Sequence, residues 1–335
     1  MNSIETNDCA AAPVRTQALV AGAQGRALRR IWIKLLAFVL PVAAILAPMV
    51  YWIDPFNLFD ARSPLPVELR MRYAAPINQA LWKVLAFNRH PEPDILLGDS
   101  QVARLPGDEI RQASGEPYAN LGDGGATLRE TIDMFWFASR KTRLHHVLFG
   151  IDFMSYNADP RDRLPQAEAI AKNPVFYFLN SDVLEAGAYQ VGDAFFHHPT
   201  NLGPQQNRAE FWKFQLAYLA DRYKRISDPG SLRLQLKAIT AYARENGISF
   251  AFLIPPQHMD AQQRVRALGA EDQYQQFKRD LAGMAEVYDC DIDNNFTRDR
   301  DNFLDPFHLE DAAAKELVVD LWSAHPSLCR RLGSK

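Results

Sequence analysis

Residues 94–105 read DILLGDSQVARL and place a serine directly behind a short apolar run. The run from Ile95 to Leu97 has the length and composition of a buried strand, and Gly98 interrupts it. In an open α/β sheet, reactive groups lie just beyond the carboxyl ends of the strands, which is where Ser100 falls. The ordinary alternative is a helix cap, because Ser and Asp often satisfy the first free N–H groups of a helix. The rest of the chain has to distinguish these two interpretations.

The composition is that of an ordinary globular protein. The 335 residues are 47% hydrophobic and 23% charged, with a formal net charge of -3, and they can hold one large α/β domain. No basic block or basic–aromatic stripe suggests a nucleic-acid partner. No C-x-x-C pair supports a structural zinc or thioredoxin-like site, and three cysteines are too few for a disulfide framework. Cys290 and Cys329 could pair outside the cytoplasm, but spacing alone does not decide this.

One segment has the properties of a membrane span. Residues 35–53, LLAFVLPVAAILAPMVYWI, contain no charge, and as a helix they extend about 28 Å, close to the hydrocarbon thickness of a bilayer. The first charge after the segment is Asp54. The residues just upstream are basic: Arg26, Arg29, Arg30 and Lys34. This asymmetry predicts a cytoplasmic N-terminus and a C-terminal domain on the far side of the membrane.

A cleaved signal peptide and a buried core helix are the alternatives. A signal peptide usually has an apolar core of about 7–15 residues, shorter than this one, and the flanking charges disfavour a core helix. We therefore expect a cytoplasmic tail at 1–30 and a transmembrane anchor at 31–53. The protein would then be a single-pass protein of the bacterial inner membrane, with its C-terminal domain periplasmic or extracellular.

Strand-like and helix-like patterns alternate after the predicted anchor. We expect a linker and a leading helix at 54–92, then one domain at 93–325. The strand candidates are DILLG, HHVLFGID and ISFAFLIPP, and helical patterns such as TLRETIDMFWFASR and EDQYQQFKRDLAGMAEVY separate or follow them. This alternation predicts an α/β fold with a parallel sheet covered on both faces. Residues 158–225 interrupt the rhythm with aromatic clusters, so we expect a helical insertion over one end of the sheet that shapes a pocket.

Two further motifs are compatible with acyl-transfer chemistry. In FLDPFHLED, Asp305 and His308 are spaced so that the carboxylate can hold the imidazole in one tautomer while its other nitrogen faces a serine. Taken alone, the pair also fits a capping aspartate and a surface histidine. In YANLGDGGATLRE, glycines at 122, 124 and 125 lead into a helix, a setting in which backbone N–H groups can hold an oxyanion.

Together and in this order, the motifs resemble those of the SGNH, or GDSL-type, hydrolase family. Its G-D-S block matches residues 98–100, its N-x-x-x-x-G-x-T block matches 120–127, and its D-x-x-H block matches 305–308. The resemblance implies a flavodoxin-like three-layer sandwich with a parallel sheet, here preceded by one transmembrane helix, and no metal or organic cofactor. It also implies roles by position. The catalytic residues would be Ser100, Asp305 and His308, and the oxyanion hole would use the N–H groups of Ser100 and Gly125.

One block departs from the family pattern. Where G-x-N-D supplies an asparagine donor to the oxyanion, this chain has Asp152 after Gly150, and an ionised carboxylate cannot donate. Three arrangements are compatible with this departure. Either Asp152 points elsewhere, or another donor such as Asn157 replaces the asparagine, or the hole has only the backbone N–H groups of Ser100 and Gly125. Losing one donor costs about 2.7–4 kcal/mol of transition-state stabilisation. The other residues expected to line the site are Asp99, Asn120 and His258.

Together with the predicted membrane anchor, the resemblance implies an enzyme that adds or removes O-acetyl groups on exopolysaccharide or cell-wall glycans. In such systems an integral-membrane acyltransferase often supplies the acyl groups, and it would be the partner of this protein. Two alternatives remain open. One is a lipid esterase, for which the aromatic insertion would bind acyl chains. The other is a non-catalytic glycan-binding scaffold of a polysaccharide export complex, whose oxyanion hole is disabled at Asp152.

Overall fold

A computed structural model describes residues 29–333, except 31, 35, 36, 38, 39, 42, 43, 60–62 and 203–206. Its centre is a six-stranded sheet in the order β2-β1-β3-β4-β5-β8. The first five strands are parallel, and β8 pairs antiparallel with β5 at the edge. The order 2-1-3-4-5 is that of a doubly wound sheet, in which β2 is added on one side of β1 and the later parallel strands on the other, so that the strand order reverses between β1 and β3. The strands are β1 Asp94–Leu97, β2 Tyr118–Asn120, β3 His146–Gly150, β4 Ser249–Ile254, β5 Glu286–Asp289 and β8 Arg330–Leu332; β6 Phe303–Asp305 and β7 His308–Leu309 form a separate hairpin.

Helices cover both faces of the sheet. Alternate residues of β1 point into two cores, since Ile95 and Leu97 belong to one apolar cluster and Leu96 to the other. The helices are α1 Val67–Ile77, α2 Gln79–Arg89, α3 Ser100–Ala103, α4 Gly107–Ser114, α5 Leu128–Ser139, α6 Leu164–Lys172, α7 Pro174–Phe178, α8 Ser181–Phe196, α9 Arg208–Lys224, α10 Ser231–Glu245, α11 Met259–Ala267, α12 Glu271–Ala282, α13 Asn295–Arg298 and α14 Asp311–Leu321. Residues 44–53 are also helical. The smaller core packs α14 against the face of the sheet opposite α2 and α5.

Two details of the predicted sheet are wrong. The sheet is mixed, because β8 runs antiparallel to β5. The single helix expected over EDQYQQFKRDLAGMAEVY ends at Ala282, and the last part of that pattern forms β5 instead. The difference has a local cause: after Gly283 the alternating pattern of β5 buries Val287 and Asp289 on one face of the sheet, and the strand pairs with β4 and β8.

The predicted transmembrane anchor at 31–53 is also wrong. Among the described residues, no helix combines the length and apolarity needed to cross a bilayer. Val50 and Ile53, at the end of the apolar stretch, are instead 1% and 2% exposed, and Val50 packs in the main core together with Phe56. The predicted single-pass placement in the inner membrane, with an external C-terminal domain, rested on that helix and is wrong with it. Residues 1–28 of the predicted cytoplasmic tail lie outside the described residues, as do the seven residues of 31–53 excepted above.

Residues 54–92 pack onto the sheet domain. Helix α2 buries Leu81, Val84 and Phe87 in the main core. Helix α1 lies against α8, and the buried Gln190 amide of α8 donates to the backbone oxygens of Pro55 and Arg70 at 3.1 Å each. Within 158–225 the described residues form α6 to α9, so this segment is helical; α8 contacts α1, α6 contacts α2, and α9 contacts strand β6 of the hairpin.

Candidate active site

Ser100 lies at the tip of β1, at the first position of the short helix α3. The turn that carries it requires glycine at Gly98, whose φ is +148° and where a Cβ would lie 2.5 Å from Val102 Cγ2. The capping role belongs to Asp99, whose side chain accepts the Gln101 N–H at 2.9 Å. Ser100 is therefore not the helix cap, which was the alternative considered from the sequence, and its hydroxyl is left for another partner.

That partner is His308. Its Nε2 lies 2.8 Å from Ser100 Oγ, and its Nδ1 lies 2.7 Å from Asp305 Oδ2. With the Nδ1 proton donated to the carboxylate, Nε2 is free to accept the serine proton. The other carboxylate oxygen of Asp305 accepts the backbone N–H groups of Phe307 and His308 at 3.0 Å each. The structure thus brings together all three residues predicted to be catalytic, from two segments about 200 positions apart.

His258 stabilises the β6–β7 hairpin from behind. Its backbone N–H donates to the oxygen of Pro306 at 2.8 Å, and its ring packs edge-on against Trp212 and Phe303. Burial lowers the pKa of the imidazole, although Asp260 nearby opposes this effect. His258 was predicted to line the pocket, but it is buried and is absent from the residues that line the cleft at Ser100. Its position is that of a support for the loop that carries Asp305 and His308.

The glycine-rich loop after β2 lies against α3. The Asn120 amide donates to the oxygens of Val102 and Leu105 at 2.8 and 3.1 Å, so it connects the loop to the end of the serine helix. A Cβ at Gly122 would lie 2.6 Å from the Ala103 nitrogen, which explains the glycine there. Gly125 has φ +65°. In the described part of the chain, neither its N–H nor that of Ser100 has a hydrogen-bond acceptor, as the predicted oxyanion role requires.

Asp152 is buried behind the serine rather than exposed to the cleft. Its carboxylate accepts from Ser155 and from the side-chain amides of Gln101 and Gln257, at 3.1 and 3.3 Å for the amides. Burial raises its pKa, against these hydrogen bonds. Burial and then the nearby Asp152 charge raise the pKa of Asp99 to about 7. The two carboxyl groups therefore form a buried acidic pair behind Ser100 that holds a proton more readily than ordinary aspartates do.

The predicted substitute donor Asn157 is not at the site. Its Oδ1 accepts the N–H and hydroxyl of Ser227, at 2.9 and 2.8 Å. With Asp152 directed away from the cleft and Asn157 bonded elsewhere, the donors that remain of the predicted oxyanion hole are the backbone N–H groups of Ser100 and Gly125.

Several residues at the site had no sequence signal strong enough to identify them. A cleft of about 610 Å³ opens at Ser100 and His308, and its wall includes Gln79, Arg104, Arg208, Phe211 and Leu304. Arg104 was the most accessible to prediction, because it lies four positions after Ser100. Arg208 and Phe211 come from α9 of the predicted insertion, and nothing in their local sequence indicates which strand end they approach. The Gln215 amide, also from α9, lies 3.4 Å from Asp305 Oδ2. Among the described residues, no group of three or more His, Cys, Asp or Glu side chains is placed to hold a metal ion.

Comparison with known proteins finds no family model that matches the chain, and no curated protein matches it. Among solved structures, the chain is similar to one provisionally described as a platelet activating factor from Streptococcus pneumonia. The two share 14% identity, with 77% of this chain and 95% of that chain covered and a TM-score of 0.37. A likeness at that level carries no argument about fold or function.

Proposed function

We propose that this protein is a serine acyl-transfer enzyme acting on an ester of a carbohydrate, as an O-acetyl esterase or an O-acetyltransferase. The observation that carries the proposal is the continuous chain of contacts from Asp305 through His308 to Ser100, beside a cleft of substrate size. The resemblance of the three motifs to SGNH hydrolases supports the acyl-transfer chemistry. The carbohydrate alcohol was first inferred from that resemblance together with a membrane anchor, and without the anchor it is a proposal that rests on the resemblance alone.

The proposed reaction begins when Ser100 Oγ attacks the ester carbonyl and its proton passes to His308 Nε2. Asp305 holds the resulting imidazolium, and the N–H groups of Ser100 and Gly125 stabilise the oxyanion. The carbon–oxygen bond to the alcohol then breaks, and the alcohol leaves with the proton from His308. Water or a second hydroxyl attacks the acyl-serine and loses its proton to His308. The bond between the acyl carbon and Ser100 Oγ then breaks as Oγ takes that proton back from His308, which regenerates Ser100 and releases the acyl product.

A fluorophosphonate probe tests this proposal on the full chain. The probe reacts with an activated serine without requiring the natural substrate. We expect labelling at Ser100 and its loss in Ser100→Ala. The control Ser249→Ala should be labelled normally, because it changes an exposed serine at the amino end of β4, whereas Ser100 lies beyond the carboxyl ends of the strands. Asp305→Asn should label more slowly by orders of magnitude, because the histidine loses its orienting carboxylate.

The alternative is a non-catalytic glycan-binding protein, and it is favoured by the absence of an asparagine donor at position 152. A folded protein that is not labelled, yet retains glycan binding in Ser100→Ala, would overturn the enzyme proposal in favour of this alternative.

A further inference from the structure

Two arginines line the cleft beside the serine. Arg104 immediately follows the serine helix α3, and Arg208 is the first residue of α9. The apolar wall between them includes Phe211 and Leu304. The cleft therefore combines two guanidinium groups with an apolar surface on which a ring or hydrocarbon part of a ligand can lie.

Neutral groups hold Arg208 in place. Its Nη2 donates to the backbone oxygens of Arg300 and Phe303, at 2.8 and 2.6 Å. The nearest carboxylate oxygen recorded for it belongs to Asp301, at 3.8 Å, and that side chain is 92% exposed. Carbonyl oxygens orient a guanidinium without cancelling its charge, and an ion pair so exposed contributes little. Arg208 is thus fixed in position while its charge stays largely available.

Arg104 has a similar environment. Its Nε donates to the backbone oxygen of Leu309 at 3.3 Å, and its Nη2 lies 3.2 Å from Asp311, whose side chain is 91% exposed. Among the described residues that line the cleft, the one carboxylate is that of Asp305. It is buried and already bonded to His308. The carboxylate partners of both arginines, Asp301 and Asp311, are thus exposed to water, and such exposed pairs neutralise little of the positive charge that the two guanidinium groups present to the cleft.

We propose that the preferred ester carries a carboxylate on its alcohol part, bound by Arg104 and Arg208 while Ser100 attacks the acyl group. The proposal rests on the proposed acyl-transfer function. A cleft of about 610 Å³ is much larger than a small acyl group requires, so it accommodates the alcohol part as well. Guanidinium groups bind carboxylates through paired, charge-assisted hydrogen bonds, and Phe211 offers an apolar surface to the part of the ligand beside the carboxylate.

The test compares two esters that differ in one charge, 4-acetoxybenzoate and its methyl ester, with each rate divided by that of spontaneous hydrolysis. We expect the wild-type protein to prefer the acid in kcat/KM by about tenfold, the effect of one charge-assisted contact. Added salt should reduce the preference because the cleft is open to water. Arg208→Gln and Arg104→Gln should each reduce the preference several-fold, mainly through KM, and Arg208→Lys should retain part of it.

Arg140→Gln is the matched control. It removes the same charge from a side chain that is 59% exposed. Arg140 lies between α5 and β3, at the amino ends of the strands and away from the cleft. The variant should leave the preference unchanged. Labelling of Ser100 together with equal or better turnover of the neutral ester would overturn the charge proposal alone. So would a preference for the acid that both arginine variants retain. Absence of both labelling and turnover from the folded protein would overturn the proposed function and this inference together.

Discussion

At the scale of single residues, the position of the serine depends on how closely two strand ends approach Val102. This side chain is buried on α3, and both Gly98 and Gly150 lie against it. A Cβ at Gly150 would lie 2.1 Å from Val102 Cγ2. Gly98 after β1 and Gly150 at the end of β3 therefore allow the serine helix to pack directly on the point where the strand order reverses.

Gly150→Ala is expected to displace α3 and slow fluorophosphonate labelling of Ser100, because the new methyl group overlaps Val102. The overlap should also lower the free energy of unfolding by about 1–3 kcal/mol. Adding Val102→Ala to the same protein should recover part of the labelling rate. The control Gly107→Ala places a methyl group where no atom lies within 4 Å and should have little effect. Wild-type labelling in Gly150→Ala would show that α3 does not depend on this contact.

At the scale of secondary-structure elements, the loop that carries Gly125 is fixed by the start of α5. Thr127 and Glu130 form a capping box, in which the threonine hydroxyl accepts the Glu130 N–H and the glutamate accepts the Thr127 N–H. Glu130 also accepts from Arg163 Nε and Nη2 at 2.7 and 3.0 Å. Burial alone would raise the pKa of Glu130, but these hydrogen bonds hold it below its usual value.

Glu130→Gln should lower the free energy of unfolding by about 1–3 kcal/mol, since it removes a buried carboxylate that pairs with Arg163 and leaves Arg163 with Asp123 as its remaining carboxylate partner. A depressed pKa contributes stability above the unfolded value of 4.5, and that contribution is lost as the pH falls through the folded value. The difference between wild type and variant, measured by urea unfolding, should therefore shrink on acidification below about pH 4. The exposed Glu68→Gln is the control. A difference that stays constant with pH would contradict this account.

The elements that could be predicted are those whose signal is local. β1, β3 and β4 are apolar runs, and the residues of the G-D-S and D-x-x-H motifs meet where the ends of strands and a hairpin bring them together. β2 has three residues, and it is a strand because β1 pairs with it. The surroundings of Asp152 depend on Gln101 and Gln257, which lie 51 and 105 positions away. No local pattern in the sequence contains such contacts.

At the scale of the whole molecule, the error over residues 31–53 has a physical cause. Hydropathy measures how strongly a segment avoids water, but it does not say whether lipid or protein covers it. At the end of the apolar stretch, Val50 lies in the protein's own main core and Ile53 is buried as well. Flanking charges, which the interpretation as a membrane anchor relied on, carry no information about this packing.

The C-terminal end of the chain is attached by a disulfide between Cys290 and Cys329, which lie 39 positions apart. The sequence left this pairing open. The bond joins the segment after β5 to the segment before β8, the antiparallel edge strand.

Replacing both cysteines by serine should lower the free energy of unfolding by about 4 kcal/mol, because a loop of this length gains that much entropy in the unfolded chain when the bond is absent. Urea unfolding with and without reductant measures the effect, and the double variant should be insensitive to reductant. Cys9→Ser is the control. An equal response to reductant in wild type and double variant would contradict a stabilising role for the bond.

The burial of Val50 and Ile53 determines where the chain tolerates being shortened when the protein is produced. A product that begins at Pro55 discards both buried side chains, so it exposes the apolar surface that they cover and is expected to be less stable and more prone to aggregate. A product that begins at residue 44 keeps the helical turns that fill this space. A shortened form of this protein should therefore begin inside the apolar stretch 35–53, at about residue 44, and not after it.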